Sequence, residues 1–135
     1  MTDSLKIREQ LALILMSDSD EAKRLILFLV YKTIARNKGI TVNQLTHLLH
    51  KTYAIKRDSV SAAINALSSS ELFNCISTWT ETKNKVVHLQ AKETDTMAEW
   101  LDMLNSKLGL YEYEAPQYTL NGKNKTDSDV NVTYV

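Results

Sequence analysis

Apolar residues recur along the first half of the chain at helical spacing. In residues 57–70, Val60, Ala63, Ile64 and Leu67 fall on one helical face. The positions between them, Ser59, Ser61, Ala62, Asn65, Ala66 and Ser69, are small or polar. "VNQLTHLLHKTY" repeats the pattern with Leu45, Leu48 and Leu49, and Thr41 stands before it as an N-cap. "EAKRLILFLVYKTIARNKG" (21–39) predicts a longer helix with Leu25, Phe28, Leu29 and Ile34 inward. Lys38 falls in its last turn and Gly39 ends it. "SLKIREQLALILM" (4–16) has good helix formers after a candidate cap at Ser4, and "SDSDE" (17–21) separates the two.

After Leu72 the period changes. "FNCISTWTETKNKVVHLQA" (73–91) is rich in β-branched and aromatic residues, and Asn84 and Lys85 mark a turn inside it. The reading is a hairpin of two strands, Leu72–Thr80 and Lys85–Ala91. "TDTMAEWLDMLNSKLG" (94–109) returns to helical spacing, with Thr94 as cap and Gly109 as stop. Its stripe is Met97, Trp100, Leu101, Leu104 and Leu108. From Tyr111 no period is visible, and residues 110–135 are expected to be a polar, flexible tail. The sum is one domain over residues 1–109, mainly α with a two-stranded β-hairpin.

Composition narrows the class. The chain has 135 residues, 44% of them hydrophobic and 24% charged, ordinary values for a globular domain with its own core. Three glycines and one proline advertise few turns and agree with a helical chain. The apolar run Leu25–Tyr31 is far too short to span a bilayer, and the N-terminus shows no secretory pattern. One cysteine, Cys75, permits no internal disulfide, so a reducing, cytoplasmic setting is expected. Net charge is zero but unevenly placed. Residues 1–92 hold 13 Lys and Arg against 8 Asp and Glu, giving +5, and residues 93–135 hold 3 against 8, giving −5. A basic body with an acidic C-terminal part hints at a polyanionic partner.

Three stretches, "TVNQLTHLL", "RDSVSAAINALSSSELF" and "CISTWTETKNKVVHLQ", together resemble a winged helix-turn-helix domain over about residues 20–92. With flanking helices at both ends, the arrangement is similar to the MarR and PadR types of small regulator. Two departures stand out. Leu45 and Val60 lie 15 positions apart, a longer turn than the family's, without glycine. "SSSELF" also stands where the family places a glycine before the wing.

The resemblance implies that helix 57–70 enters the major groove and hairpin 72–91 serves as the wing. The residues suit that use. Ser59, Ser61 and Asn65 are short enough to let a helix approach base edges, and Asn pairs bidentately with adenine. Lys51, Lys56 and Arg57 would meet phosphates near the helix start, and Lys83 and Lys85 would do so from the hairpin tip. Against this stands an ordinary solvated helix, though such a face more often carries Ala, Glu or Lys. Lysines at hairpin tips are also common for solubility alone.

Other chemistry is thinly represented. His47, His50 and His88 lack the cysteine or carboxylate spacing of a metal site, so no metal or other cofactor is expected. Cys75 lies in an expected strand and reads as core filling. Trp79 would close the base of the wing. No phosphate-binding glycine loop, nucleophile elbow or paired acids point to an enzyme.

The leading expectation is a double-stranded DNA-binding regulator acting as a homodimer, most simply a repressor. Leu11, Ile14 and Leu15 with Met97, Trp100 and Leu104 are its candidate interface. The alternatives are a plasmid or phage partition or replication protein of the same fold, and a winged-helix module that binds protein, with the acidic C-terminal part as its candidate contact.

Overall fold

A computed structural model describes residues 20–83, 85–111 and 113–119. Its elements are α1 (Asp20–Arg36), α2 (Val42–Tyr53), α3 (Arg57–Ser69), β1 (Ile76–Glu81), β2 (Val86–Ala91) and α4 (Asp95–Leu108). Among the described residues, four helices and a two-stranded antiparallel hairpin make a mainly α fold. The expected helix over residues 4–16 lies outside the described residues.

Local signals set the helix boundaries. Thr41 accepts from the Gln44 amide at 3.1 Å, and the Gln44 side chain accepts from the Thr41 amide at 3.1 Å, closing a capping box at the start of α2. Thr94 caps α4 through the Met97 amide, and Gly109 ends it at φ 67°. The α2–α3 turn lacks glycine, and Ala54 takes its place. It adopts φ 59° and donates its amide to the His50 carbonyl at 2.8 Å. The left-handed conformation costs a non-glycine residue about 1–2 kcal/mol.

One core joins all six elements. Leu25, Phe28, Leu29 and Ile34 of α1, Leu45, Leu48 and Leu49 of α2, and Val60, Ala63, Ile64 and Leu67 of α3 are buried, as their spacing predicts. Leu89 and Ile76 bring the hairpin into this core, and Met97 and Leu104 bring α4.

Four features differ from the sequence reading. Helix α1 ends at Arg36, so Lys38 and Gly39 lie in the turn after it and not in its last turn. The first strand begins at Ile76 rather than Leu72. Residues 71–73 form a turn and Asn74 sits at φ 42°, so the chain bends before it can pair. Residues 39–41 also form a short extended edge on the hairpin. Gly39 donates to the Leu89 carbonyl, Leu89 donates back to Ile40, both at 2.9 Å, and Thr41 bridges His88. Three residues are too few to show a period. Lastly, the body does not stop at Gly109. Over residues 110–119 the expected polar tail is packed instead: Leu110 and Ala115 are buried, and Tyr113 and Tyr118 lie against the core. Its apolar residues are spaced irregularly, so neither a helical nor a strand pattern announces them.

Candidate nucleic-acid interface

Helix α3 presents three different faces. Val60, Ala63, Ile64 and Leu67 enter the core. Arg57, Ser61 and Asn65 follow one another at four-residue steps and are all exposed. Ser69 continues this face and bonds back to the Asn65 carbonyl. The third face, Ser59, Ala62 and Ala66, turns toward α1.

Ser59 therefore does not belong with Ser61 and Asn65. At about 100° per residue, positions 59 and 61 project to opposite sides of a helix, whereas 61 and 65 nearly coincide. Ser59 is half-buried and lines a groove between α1 and α3. Among the described residues the groove has Ile26 and Leu27 on its α1 wall and Ala62, Ala63 and Ala66 on its α3 wall. Lys23 and Asp58 bring charge to it, and its volume is about 400 Å³. Sequence reading missed this groove, because a pair of exposed-looking residues on α1 acquires a meaning only when α3 packs beside it.

The cations expected to meet phosphate are all exposed. Lys51 lies in the last turn of α2, Lys56 is the N-cap residue of α3, and Arg57 is its first residue. No side chain caps α3, in contrast to α2 and α4, so the positive end of α3 opens between these three cations. Asp58 in the same first turn supplies one opposing charge. Lys83 and Lys85 are exposed at the hairpin tip, where Lys85 at φ 53° donates its amide to the Glu81 carbonyl at 2.7 Å.

At the hairpin, Trp79 and His88 face one another across the strands. Their rings stack at 5.3 Å and 15°, and Trp79 remains 44% exposed on top of the buried imidazole. His88 Nδ1 donates to the Gly39 carbonyl at 2.9 Å, and Nε2 lies 3.2 Å from the Glu81 carboxylate. His88 thus ties the hairpin to the edge after α1. The other two histidines, His47 and His50, are exposed, and no metal-holding cluster occurs among the described residues.

Cys75 is fully buried, and burial pushes its thiol up to about 11, against weaker lowering by its own backbone and by Lys92. It fills core, as the sequence reading expects, although it stands one residue before β1 and not within a strand.

The candidate dimer residues separate. Met97 and Leu104 are consumed by the chain's own core and cannot serve as an interface. A helical stripe looks the same in sequence whether it meets another chain or its own, and here the core claims it. Trp100 is half-buried, edge-on to Phe73 at 5.5 Å and 74°. Leu11, Ile14 and Leu15 lie outside the described residues. No described helix is long and apolar enough to cross a membrane. No protein-family model, no curated protein and no solved structure matches this chain.

Proposed function

We propose that this chain is a winged-helix protein that binds double-stranded DNA as a regulator, laying α3 in the major groove with the hairpin as wing. The observation that carries the reading is the solvent face of α3. Arg57, Ser61 and Asn65 stand there in line, with no long apolar side chain among them, at a helix start flanked by Lys51 and Lys56. Short polar side chains let a helix axis come close to base edges, and the cations beside it neutralise the strands on either side. The order helix, edge strand, helix, helix, hairpin supports the same reading. Lys83 and Lys85 suit the hairpin tip for a phosphate or the minor groove. Pairing of two copies through α4, around half-buried Trp100 and the 50% exposed Met103, would let the protein read two half-sites.

Two substitutions separate the roles. Asn65→Ala removes a base-edge partner and is expected to cost about 1–3 kcal/mol on a selected site while sparing random duplex. Arg57→Ala removes a cation that meets phosphate, so it weakens all duplexes alike. It lowers the salt slope by about one unit for each phosphate no longer neutralised, doubled in a dimer. Binding titrations of both variants over a salt series, after site selection from random duplex, read the two effects. Unchanged affinity and slope in both variants would remove α3 as the reading surface.

A further inference from the structure

The outer edge of β1 is a surface that this binding of DNA does not use. Trp79 of β1 lies opposite His88 of β2, and Thr78 lies opposite Leu89. Hydrogen-bonded and non-bonded pairs alternate along an antiparallel ladder. Leu89 directs its amide and carbonyl to residues 39–40, on the far side of β2. Thr78 and Leu89 are therefore a non-bonded pair, and Thr80 and Val87 are the next. Thr78 and Thr80 thus turn their N–H and C=O groups outward, away from β2. Both residues are exposed, and among the described residues no hydrogen bond meets those groups.

Edge strands that stay single carry lysine, proline or a bulge. Residues 76–80 carry no lysine or proline, and the register runs without a break from Ile76 to Glu81. The hairpin also projects beyond the helices. Thr80 and Val87 share the sheet face that takes Ile76 and Leu89 into the core, yet both are exposed. The distal half of the edge therefore stands clear of α1 and α3.

The strand that fits this edge is a second β1. A two-fold axis at Trp79 sets Thr78 opposite Thr80 of the other copy, and Thr80 opposite its Thr78. Both pairs exchange two bonds, so every outward group finds a partner. Trp79 meets its own counterpart in a non-bonded pair, the closer kind, with Cα atoms about 4.5 Å apart. The outer face then carries a row of four rings, because each indole already stacks on its own His88. Glu81, the one charge in β1, comes opposite Ser77, so no like charges meet. An axis at Thr78 would instead call on Ile76, which is buried where the Cys75 amide bonds to the end of α3.

We propose that two copies of this chain pair antiparallel through β1, joining their hairpins into one four-stranded sheet with Trp79 on the two-fold axis. The paired edge is short, so the interface belongs to the weak class that buries less than about 1,200 Å². It shares no residue with a pairing through α4, and it holds whether or not the protein binds DNA.

Amide hydrogen exchange at Thr78 and Thr80 tests it on the full chain, because only pairing of this edge covers those two amides. Both are expected to slow at least about threefold between roughly 20 µM and 1 mM protein, the range of a weak interface. Thr80→Pro removes one outward N–H and leaves the β1–β2 ladder intact, so Thr78 exchange becomes independent of concentration. Under mild oxidation Trp79→Cys, on the axis, is expected to give at least about tenfold more disulfide-linked dimer than Thr78→Cys, one position off it. Exchange at Thr78 and Thr80 that does not change with concentration in the unaltered chain would overturn the proposal, even where sedimentation shows a dimer, which would then belong to another surface. So would slowing at Thr78 that survives Thr80→Pro in a folded protein, or equal cross-linking of the two cysteine variants. If Thr80→Pro fails to fold, the cross-linking comparison decides.

Discussion

Cys75 shows how far one buried group reaches into the behaviour of the molecule. Its thiol has no exposed surface and is pushed from 9.0 up to about 11, chiefly by burial. The folded state therefore holds the neutral thiol after the unfolded chain has begun to ionise. The stability this contributes is fully present below about pH 9 and is lost as pH rises toward 11, roughly 2–3 kcal/mol over the window. Tyr31, raised first by burial and then by Cys75 and Glu93, works in the same direction. Urea midpoints measured across this window are expected to fall in the unaltered protein and to fall less in Cys75→Ala, with a residual slope from Tyr31. Equal slopes in the two proteins would show that the thiol does not carry the effect.

Among the elements, the hairpin has one cross-strand pair, Trp79 and His88, that also ties it to the edge after α1. A two-stranded hairpin alone is marginal in water. Here it gains a third partner through residues 39–41, and His88 holds that junction by its bond to the Gly39 carbonyl. His88→Ala removes this bond, the interaction with Glu81 and the stack beneath Trp79. The expected loss is about 2–3 kcal/mol, from an orphaned carbonyl and a missing ring stack. Trp79 emission reports the change directly, because the indole loses its stacking partner. An unchanged emission spectrum together with an unchanged unfolding midpoint would mean that the hairpin is held elsewhere.

For the whole molecule, the last described segment acts as a strap across the helices. Asn37, buried at the end of α1, is its anchor. Its side-chain amide donates to the Thr33 carbonyl at 2.8 Å and to the Pro116 carbonyl at 3.0 Å, and its oxygen accepts the Tyr118 amide at 2.8 Å. Tyr53 and Tyr113 join hydroxyl to hydroxyl, Tyr113 packs on Phe28, and Arg36 reaches Glu114 and Gln117. The exposed Arg36–Glu114 pair contributes little. Asn37→Ala strands buried partners at both ends, so a loss of roughly 2–4 kcal/mol is expected, with faster amide exchange over residues 113–118. Slow exchange there in the variant would show that the aromatic packing suffices without Asn37.

The sequence by itself determined the helices from Asp20 to Leu108, their inward stripes, the caps at Thr41 and Thr94, and the presence of a hairpin. Each follows from spacing or from a cap within a few residues, and such local physics survives packing. It also placed Arg57, Ser61 and Asn65 on one helix near Lys56, since helical geometry alone aligns them. What lay several turns away in sequence was decided by tertiary structure. Helical geometry already turns Ser59 away from Ser61, but only packing decided that α1 lies on the Ser59 side. The core took Met97 and Leu104, which a stripe alone cannot assign to self or partner. Pairing with β2 made an extended edge of residues 39–41, and Asn37 drew residues 113–118 onto the body. In each case the deciding partner is an element that the local sequence does not contain, and burial against that partner, rather than propensity, set the outcome.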